Sequence, residues 1–436
     1  MNAERTGPVT FGQLSVLRSL ESYGSVGQRV ANLVSVWPVP AGASVGHVVD
    51  AWQQLVVAHE SLRTGFSTER GRPVQTVHPA GVVSVPVLEV SEDAHAATRE
   101  LAAEWAADPI DITAGQPWRA FAVVHRGAPL YLVAVIHHIA ADNGALRVLR
   151  EQFQRLVEGE VLGPQAQPLD LALAQQEDAH AARAVDHWAV RWGPFRPEDR
   201  QEGDTSTRRR ATLYSVEGLQ AARRIAQRSG ASVQAIVLAL GALALARVKE
   251  RDQITFGLMT ANRLDRQWSE LVSSLNQCVP FTVDIDDESA PDSFLNTTYR
   301  ASMDAYLHGC FDVDALRSEL TARGRLETDP TYFSAHYNFL GAGDGEPPQD
   351  APVRTGVAWR TSHQRIGPNF HLAVAIERGL FIGVGASVDY LPDELPAFLA
   401  ASIEGGLMTL ADSPPESLGK LSLEPRRDLG RQPRQS

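Results

Sequence analysis

The sequence predicts a mixed α/β protein built as two compact lobes, and three observations lead there. The chain has 436 residues, more than a single hydrophobic core usually organises. Hydrophobic residues make up 44% and charged residues 21% of it, the balance of an ordinary globular chain. Helical and strand-like patterns alternate through both halves.

In the first half, Gln28–Val39 contains the β-rich run LVSVW, and Val45, Val48, Val49, Trp52, Leu55, Val56 and Leu62 recur at helical spacing. Strand patterns follow at Val74–Val77 and Val82–Val90, then a helix at Ala94–Ala107. Trp118–His125 and Leu130–Ile139 read as strands joined by the turn RGAP, and Ala145–Leu156 as a helix. Gly159–Pro168 carries two glycines and two prolines and is the expected lobe boundary. Residues 1–165 are therefore assigned to one lobe and 166–423 to the other, with 424–436 expected to be a disordered tail.

The second lobe opens with an Ala-rich helical segment bearing Trp188 and Trp192, then the charged loop Pro197–Thr207. Strand Ala211–Val216 and helices Leu219–Ser229 and Ser232–Lys249 follow, then strands Ile254–Met259 and Pro280–Ile285. Helices are expected near Ser293–His308, Val313–Ala322 and Asp393–Leu410. Strands are expected at Tyr332–Phe339, Phe370–Ile376 and Leu380–Val388. Val233–Ala246 is the most apolar stretch, shorter than the ~20 residues that span a bilayer and closed by Arg247, Lys249, Glu250 and Arg251. It reads as a buried core helix.

The net charge of −12 argues against nonspecific binding to nucleic acid or to an anionic membrane. Arg208, Arg209 and Arg210 form a short cationic run that reads as solvated. Cys278 and Cys310 lie far apart and suggest neither a disulfide framework nor zinc spacing, as expected of a cytoplasmic protein. MNAERTGPVT has no apolar core, so no signal peptide is expected.

Chemistry concentrates at His137-His138-Ile139-Ala140-Ala141-Asp142, where a buried strand meets a helix. Neighbouring strand residues point to opposite faces, so one imidazole can face a cleft while the other supports the core. An imidazole near neutrality suits proton removal from an amine or alcohol during acyl transfer. The plainer alternative is two satisfied histidines beside a helix-capping aspartate. Metal binding fits less well, since the adjacent side chains diverge and no further ligand stands nearby in sequence. Gly42-Ala43-Ser44-Val45-Gly46 matches a serine-hydrolase elbow, but Ser44 reads better as a helix cap. Asp292-Ser293 lacks the flank of a carrier-protein attachment site, and Trp52, Trp188 and Trp192 read as packing residues.

HHIAADN resembles the HHxxxDG signature of nonribosomal peptide synthetase condensation domains, within the chloramphenicol-acetyltransferase-like superfamily. Further motifs agree in order: AHESLRTGF (Ala58–Phe66), DITAGQPWRA (Asp111–Ala120), FGLMTANR (Phe256–Arg263), LVSSLNQCVPF (Leu271–Phe281) and FSAHYNFLG (Phe333–Gly341). The resemblance covers about Gln13–Leu423. It implies two acetyltransferase-like lobes forming a V around a central tunnel. It implies His138 as the catalytic histidine with His137 beside it, Asp142 as the structural aspartate, and Asn338 at the reaction centre. Arg263 is the implied partner of Asp142, with Arg63 as second choice. Asn143 replaces the signature glycine, and Gly144 follows.

The implied reaction moves an acyl or aminoacyl group from a carrier protein's phosphopantetheine thioester to an amine or alcohol, forming an amide or ester in natural-product biosynthesis. No bound cofactor is implied, and the carrier is expected in trans, as for a free-standing enzyme. An acyl-CoA-dependent acyltransferase and a catalytically silent recruitment domain are the alternatives. Holding two reactants in contact can supply ~7–11 kcal/mol, against ~10²–10⁴-fold for a general base. Positioning is thus expected to outweigh proton removal.

Overall fold

The computed structural model describes residues 4–22, 31–91, 93–193, 207–325, 333–342, 355–361 and 367–426. It divides into two units. The first holds Met1–His187, Ala261–Gln277 and Cys310–Glu319; the second holds Trp188–Thr260, Cys278–Gly309 and Leu320–Ser436.

The first half of the chain contains β1 (Arg5–Pro8), α1 (Phe11–Ser22), β2 (Asn32–Pro38), α2 (Val45–Ala58), β3 (Thr64–Glu69), β4 (Arg72–Val77) and β5 (Val87–Glu89). Then come α3 (Ala94–Ala107), β6 (Trp118–His125), β7 (Ala128–His137), α4 (Asn143–Val157), α5 (Pro168–Gln176) and α6 (Ala179–Arg191). Two sheets result, ordered β2-β7-β6-β5 and β1-β4-β3. β6 and β7 are buried on both faces, with Phe121, Val123, Leu132, Val133, Val135 and Ile136 all inaccessible. Trp52 packs between Trp37 and Trp118, with ring centroids 5.8 and 5.0 Å away.

Local capping fixes several helix starts. Thr10 and Gln13 form a reciprocal pair at the start of α1. The Thr10 hydroxyl accepts from the Gln13 N–H (3.1 Å) and Gln13 Oε1 accepts from the Thr10 N–H (2.8 Å). Ser44 caps α2 through the His47 N–H at 3.2 Å, so the GxSxG match is a helix start. The strand expected at Val82–Val90 shrinks to β5, because Pro86 offers no N–H to the ladder.

The second half contains β8 (Arg208–Ser215), α7 (Val216–Ser229), α8 (Val233–Lys249), β9 (Gln253–Thr260), β10 (Gln277–Asp284), α9 (Pro291–Leu307) and α10 (Val313–Ala322). It ends with β11 (Ala335–Ala342), β12 (Gly356–Thr361), β13 (Phe370–Ile376), β14 (Leu380–Ser387) and α11 (Leu395–Asp412). These strands form one seven-stranded sheet, ordered β10-β9-β11-β13-β14-β8-β12. Every residue of α8 from Ala235 to Ala246 is buried, as a helix apolar on all sides requires. Asp292, on the first turn of α9, pairs with Arg228 at 2.9 Å. Among the described residues, no single helix is long and apolar enough to cross a membrane.

The unit boundary falls after His187, not in the expected region around residue 165. Glutamine side chains tie the first of the intervening helices, α5, to the first unit. Gln167 donates to the Ala58 carbonyl (3.0 Å) and accepts from the Glu60 N–H (2.9 Å), while Gln175 accepts from the Phe11 N–H (2.9 Å). Residues 261–277 also return to the first unit, against the expected single span of 166–423. Most of the expected 424–436 tail, from 427 onward, lies outside the described residues, as does most of the Pro197–Thr207 loop.

Candidate active site

β7 ends at His137, and His138 begins the turn that leads to α4. The two histidines therefore do not diverge by strand alternation; the turn separates their roles. His137 is buried, and its Nδ1 accepts the Ile139 N–H at 3.1 Å. Burial, with His138 as a like neighbour, pushes its pKa down to about 3, so it is a neutral brace for the turn. His138 is half-buried, and its backbone N–H donates to the Ala31 carbonyl at 2.6 Å. Burial also lowers its pKa, partly opposed by hydrogen bonds to backbone and by the Asp142 carboxylate.

Motif segments distant in sequence brace the same turn. The Ser61 hydroxyl donates to the Ala140 carbonyl at 2.6 Å, and Trp118 Nε1 donates to the Leu62 carbonyl at 2.7 Å. His59 is buried against Gln152 of α4, with 2.6 Å between Nε2 and Oε1.

Asp142 caps α4. Its Oδ1 accepts the Ala145 N–H at 2.8 Å and Arg263 Nη2 at 2.6 Å, while Oδ2 accepts the Leu275 N–H at 3.0 Å. The ion pair is buried, with side-chain exposures of 10% for Arg263 and 5% for Asp142. Arg263 Nη1 also donates to the carbonyls of Ser269 (3.2 Å) and Leu271 (2.8 Å). Asn262 holds a left-handed backbone (φ 51°), which Asn tolerates well, and donates to the Leu275 carbonyl at 2.9 Å. The 262–275 segment thus wraps its own arginine and delivers it to Asp142.

Arg63 does not reach Asp142. It donates to the His78 carbonyl at 2.6 Å and faces Glu60 at 3.7 Å. Asn143 is exposed and opens α4 without a left-handed backbone, so replacing glycine there imposes no strain. The steric demand sits one residue later. A Cβ on Gly144 would stand 2.4 Å from Arg263 Nε. Asn338 lies half-buried on β11 of the second unit, paired in register with Ala373 of β13.

Sequence reasoning did not single out Ser274. Its Oγ lies 3.4 Å from His138 Nδ1 and donates to Asn276 Oδ1 at 3.0 Å. With that proton committed, the serine oxygen is the acceptor for an Nδ1–H, which leaves the lone pair of His138 on Nε2. α1 packs against the same segment. A Cβ on Gly12 would meet the Ser274 carbonyl at 2.3 Å, and the Thr10 hydroxyl donates to that carbonyl at 3.4 Å. The serine lay inside the quoted LVSSLNQCVPF run, but nothing in its spacing distinguished it from Ser273.

These two mixed α/β units have the chloramphenicol-acetyltransferase-like fold. Residues 36–335 match the family model described as Condensation domain, and the chain belongs to that family. It is 24% identical over 344 residues to tyrocidine synthase 3 of Brevibacillus parabrevis, covering 74% of this chain and 5% of that protein. The chain thus spans a small fraction of the curated relatives it matches. Among solved structures, it resembles the condensation domain of the monacolin K polyketide synthase MokA (TM-score 0.77, 17% identity), covering 96% of this chain and 100% of that one. It also resembles the protein of a structure describing condensation domain-mediated chain release from the enacyloxin polyketide synthase. That match has TM-score 0.73 and 18% identity, over 94% of this chain and 84% of that one. Condensation domains are acyl or peptidyl transferases that form amide bonds.

Proposed function

We propose that this chain transfers an acyl or aminoacyl group from a carrier protein's phosphopantetheine thioester, delivered in trans, to an amine or alcohol. His138 Nε2 takes the proton of the attacking nucleophile, the new C–N or C–O bond forms, and the C–S bond breaks. The proton passes to the departing sulfur, giving an amide or ester and a free thiol. His137, Asp142 and Arg263 are positioning residues in this reading, and Asn338 contacts substrate. A free-standing enzyme at work in the cytoplasm is part of the same reading.

The observation that carries it is the buried Asp142–Arg263–Leu275 clamp beside a neutral, Ser274-oriented His138. Such bracing favours catalysis because a base must be held in register with its proton. The ordinary backbone at Asn143 supports an active site despite the altered signature.

The test is mass spectrometry of acyl-carrier reactions with a panel of amines and alcohols, using wild type and His138→Ala. Product that requires both the carrier and His138 is expected. Unchanged turnover in His138→Ala would overturn the assignment, and product from acyl-CoA alone would replace the carrier with a free thioester.

A further inference from the structure

The seven-stranded sheet of the second unit packs one face against helices: Leu372 of β13 points at Gly241 of α8, and α11 lies on β8 and β14. Residues alternate between faces, so His371 and Ala373 point the other way. The register on that opposite face is specific. His336 of β11 pairs with His371 of β13, His371 with Gly385 of β14, and Gly385 with Arg210 of β8. Arg208 stands two residues from Arg210 on the same face.

This row places bases on both sides of a gap. Adjacent strands lie ~4.8 Å apart, so His371 and Arg210 flank the Gly385 strand at about 10 Å. Among the described residues, a Cβ on Gly385 would meet only the Arg209 carbonyl, at 3.9 Å. The next row repeats the small floor, with Ala373 opposite Gly383. Asn338 is two residues beyond His336 along β11, pointing to the same face about 7 Å away.

We propose that His336, His371, Arg208 and Arg210 form a binding site for the carboxylate or phosphate group of a substrate. An oxyanion seated over Gly385 is within reach of Arg210 on one side and the two imidazoles on the other. Arginine favours such planar or tetrahedral oxyanions because its N–H groups form a fixed fork. Arg208 is held by the carbonyls of Gly367 and Pro368, each at 2.7 Å, and acts through its charge. His336 Nε2 is buried without a hydrogen-bond partner among the described residues. The neutral ring gives its proton to the Phe333 backbone, so Nε2 holds the lone pair and becomes a donor to an oxyanion when the bound negative charge draws a second proton onto the ring. Electrostatics agree. Burial, then His336, Arg210 and Arg208, hold the His371 pKa down at about 3, while burial and Arg208 hold His336 at about 4, against a backbone hydrogen bond at Phe333. The local field therefore favours a negative ligand.

The proposed function enters only in calling the ligand a substrate, so binding is measured directly. Inorganic phosphate and succinate are titrated by calorimetry at constant ionic strength into wild type, Arg210→Gln, His371→Gln and His138→Ala, with circular dichroism melts confirming the fold. Saturable binding is expected in wild type and His138→Ala, weakened at least ten-fold in Arg210→Gln and His371→Gln. Binding of phosphate alone assigns a phosphate ligand, of succinate alone a carboxylate, and of both a shared oxyanion site. No binding to wild type overturns the proposal, as does unchanged affinity in the folded variants. If Arg210→Gln fails to fold, His371→Gln decides. Retained binding in a protein that makes no condensation product would refute the proposed function and leave the anion site standing.

Discussion

The guanidinium of Arg263 occupies the space that any side chain at position 144 would need, with Nε 2.4 Å from where a Cβ on Gly144 would stand. The glycine requirement of the signature turn therefore lies at 144 in this chain, and is set by a residue over a hundred positions downstream. Gly144→Ala must push Arg263 off Asp142. It should destabilise the protein by about 1–3 kcal/mol, the usual cost of overpacking, and lower activity. Asn143→Gly should cost less than about 1 kcal/mol and leave turnover intact, since 143 is exposed and its helical backbone only loses propensity. Urea unfolding and turnover of both variants check this, and equal effects would contradict it.

Breaking the Asp142–Arg263 pair from one side leaves a buried charge unpaired. Asp142→Ala should lose about 3–5 kcal/mol, with the N–H groups of Ala145 and Leu275 also losing their acceptor. Arg63→Gln should leave the Asp142 clamp intact, because Arg63 serves the His78 carbonyl instead. Denaturant midpoints of the two variants separate these roles.

Ser274→Ala removes the oxygen beside His138 Nδ1 without touching the clamp. A neutral hydrogen bond contributes about 0.5–1.5 kcal/mol, so kcat should fall by about 2–10-fold with KM little changed. A rise in KM alone would place Ser274 in substrate binding instead.

Acid should weaken this fold through its buried histidines. Burial holds His59 at about 4, partly opposed by its bond to Gln152, and His137 at about 3. The unfolded chain protonates these groups near 6.5 and so binds more protons below that pH. Their contribution to stability is complete above pH 6.5 and erodes as pH falls toward 4 and 3. The slope is up to about 1.4 kcal/mol per pH unit for each histidine. Urea unfolding at pH 7, 6 and 5 should show the fall, and His59→Gln should flatten it. A stability independent of pH over that range would refute the assignment.

Much of the architecture was legible because its causes are local. Trp118–His125, Ala94–Ala107, Val313–Ala322 and Phe370–Ile376 follow their own periodicity and turn residues, and the structure keeps those bounds. The short strands β1 and β12 were not legible. Four to six residues pairing with distant partners carry little pattern of their own. The course of the chain after 165 has a related reason: Gly and Pro mark a turn, but the side chains of Gln167 and Gln175 attach α5 to the first core.

By itself, the sequence determined the succession of most helices and strands, the caps at Ser44 and Asp142, and the ordered motifs around His138. These depend on spacing within a few residues, where backbone geometry leaves few choices. Tertiary structure alone decided that Arg263 and not Arg63 meets Asp142, that Ser274 stands at His138, and that 144 is the position without room. It also aligned His336, His371 and Arg210 across strands far apart in the chain. Each of those relationships joins residues brought together by chain crossings and strand register, which the burial of the whole core selects and no local pattern encodes.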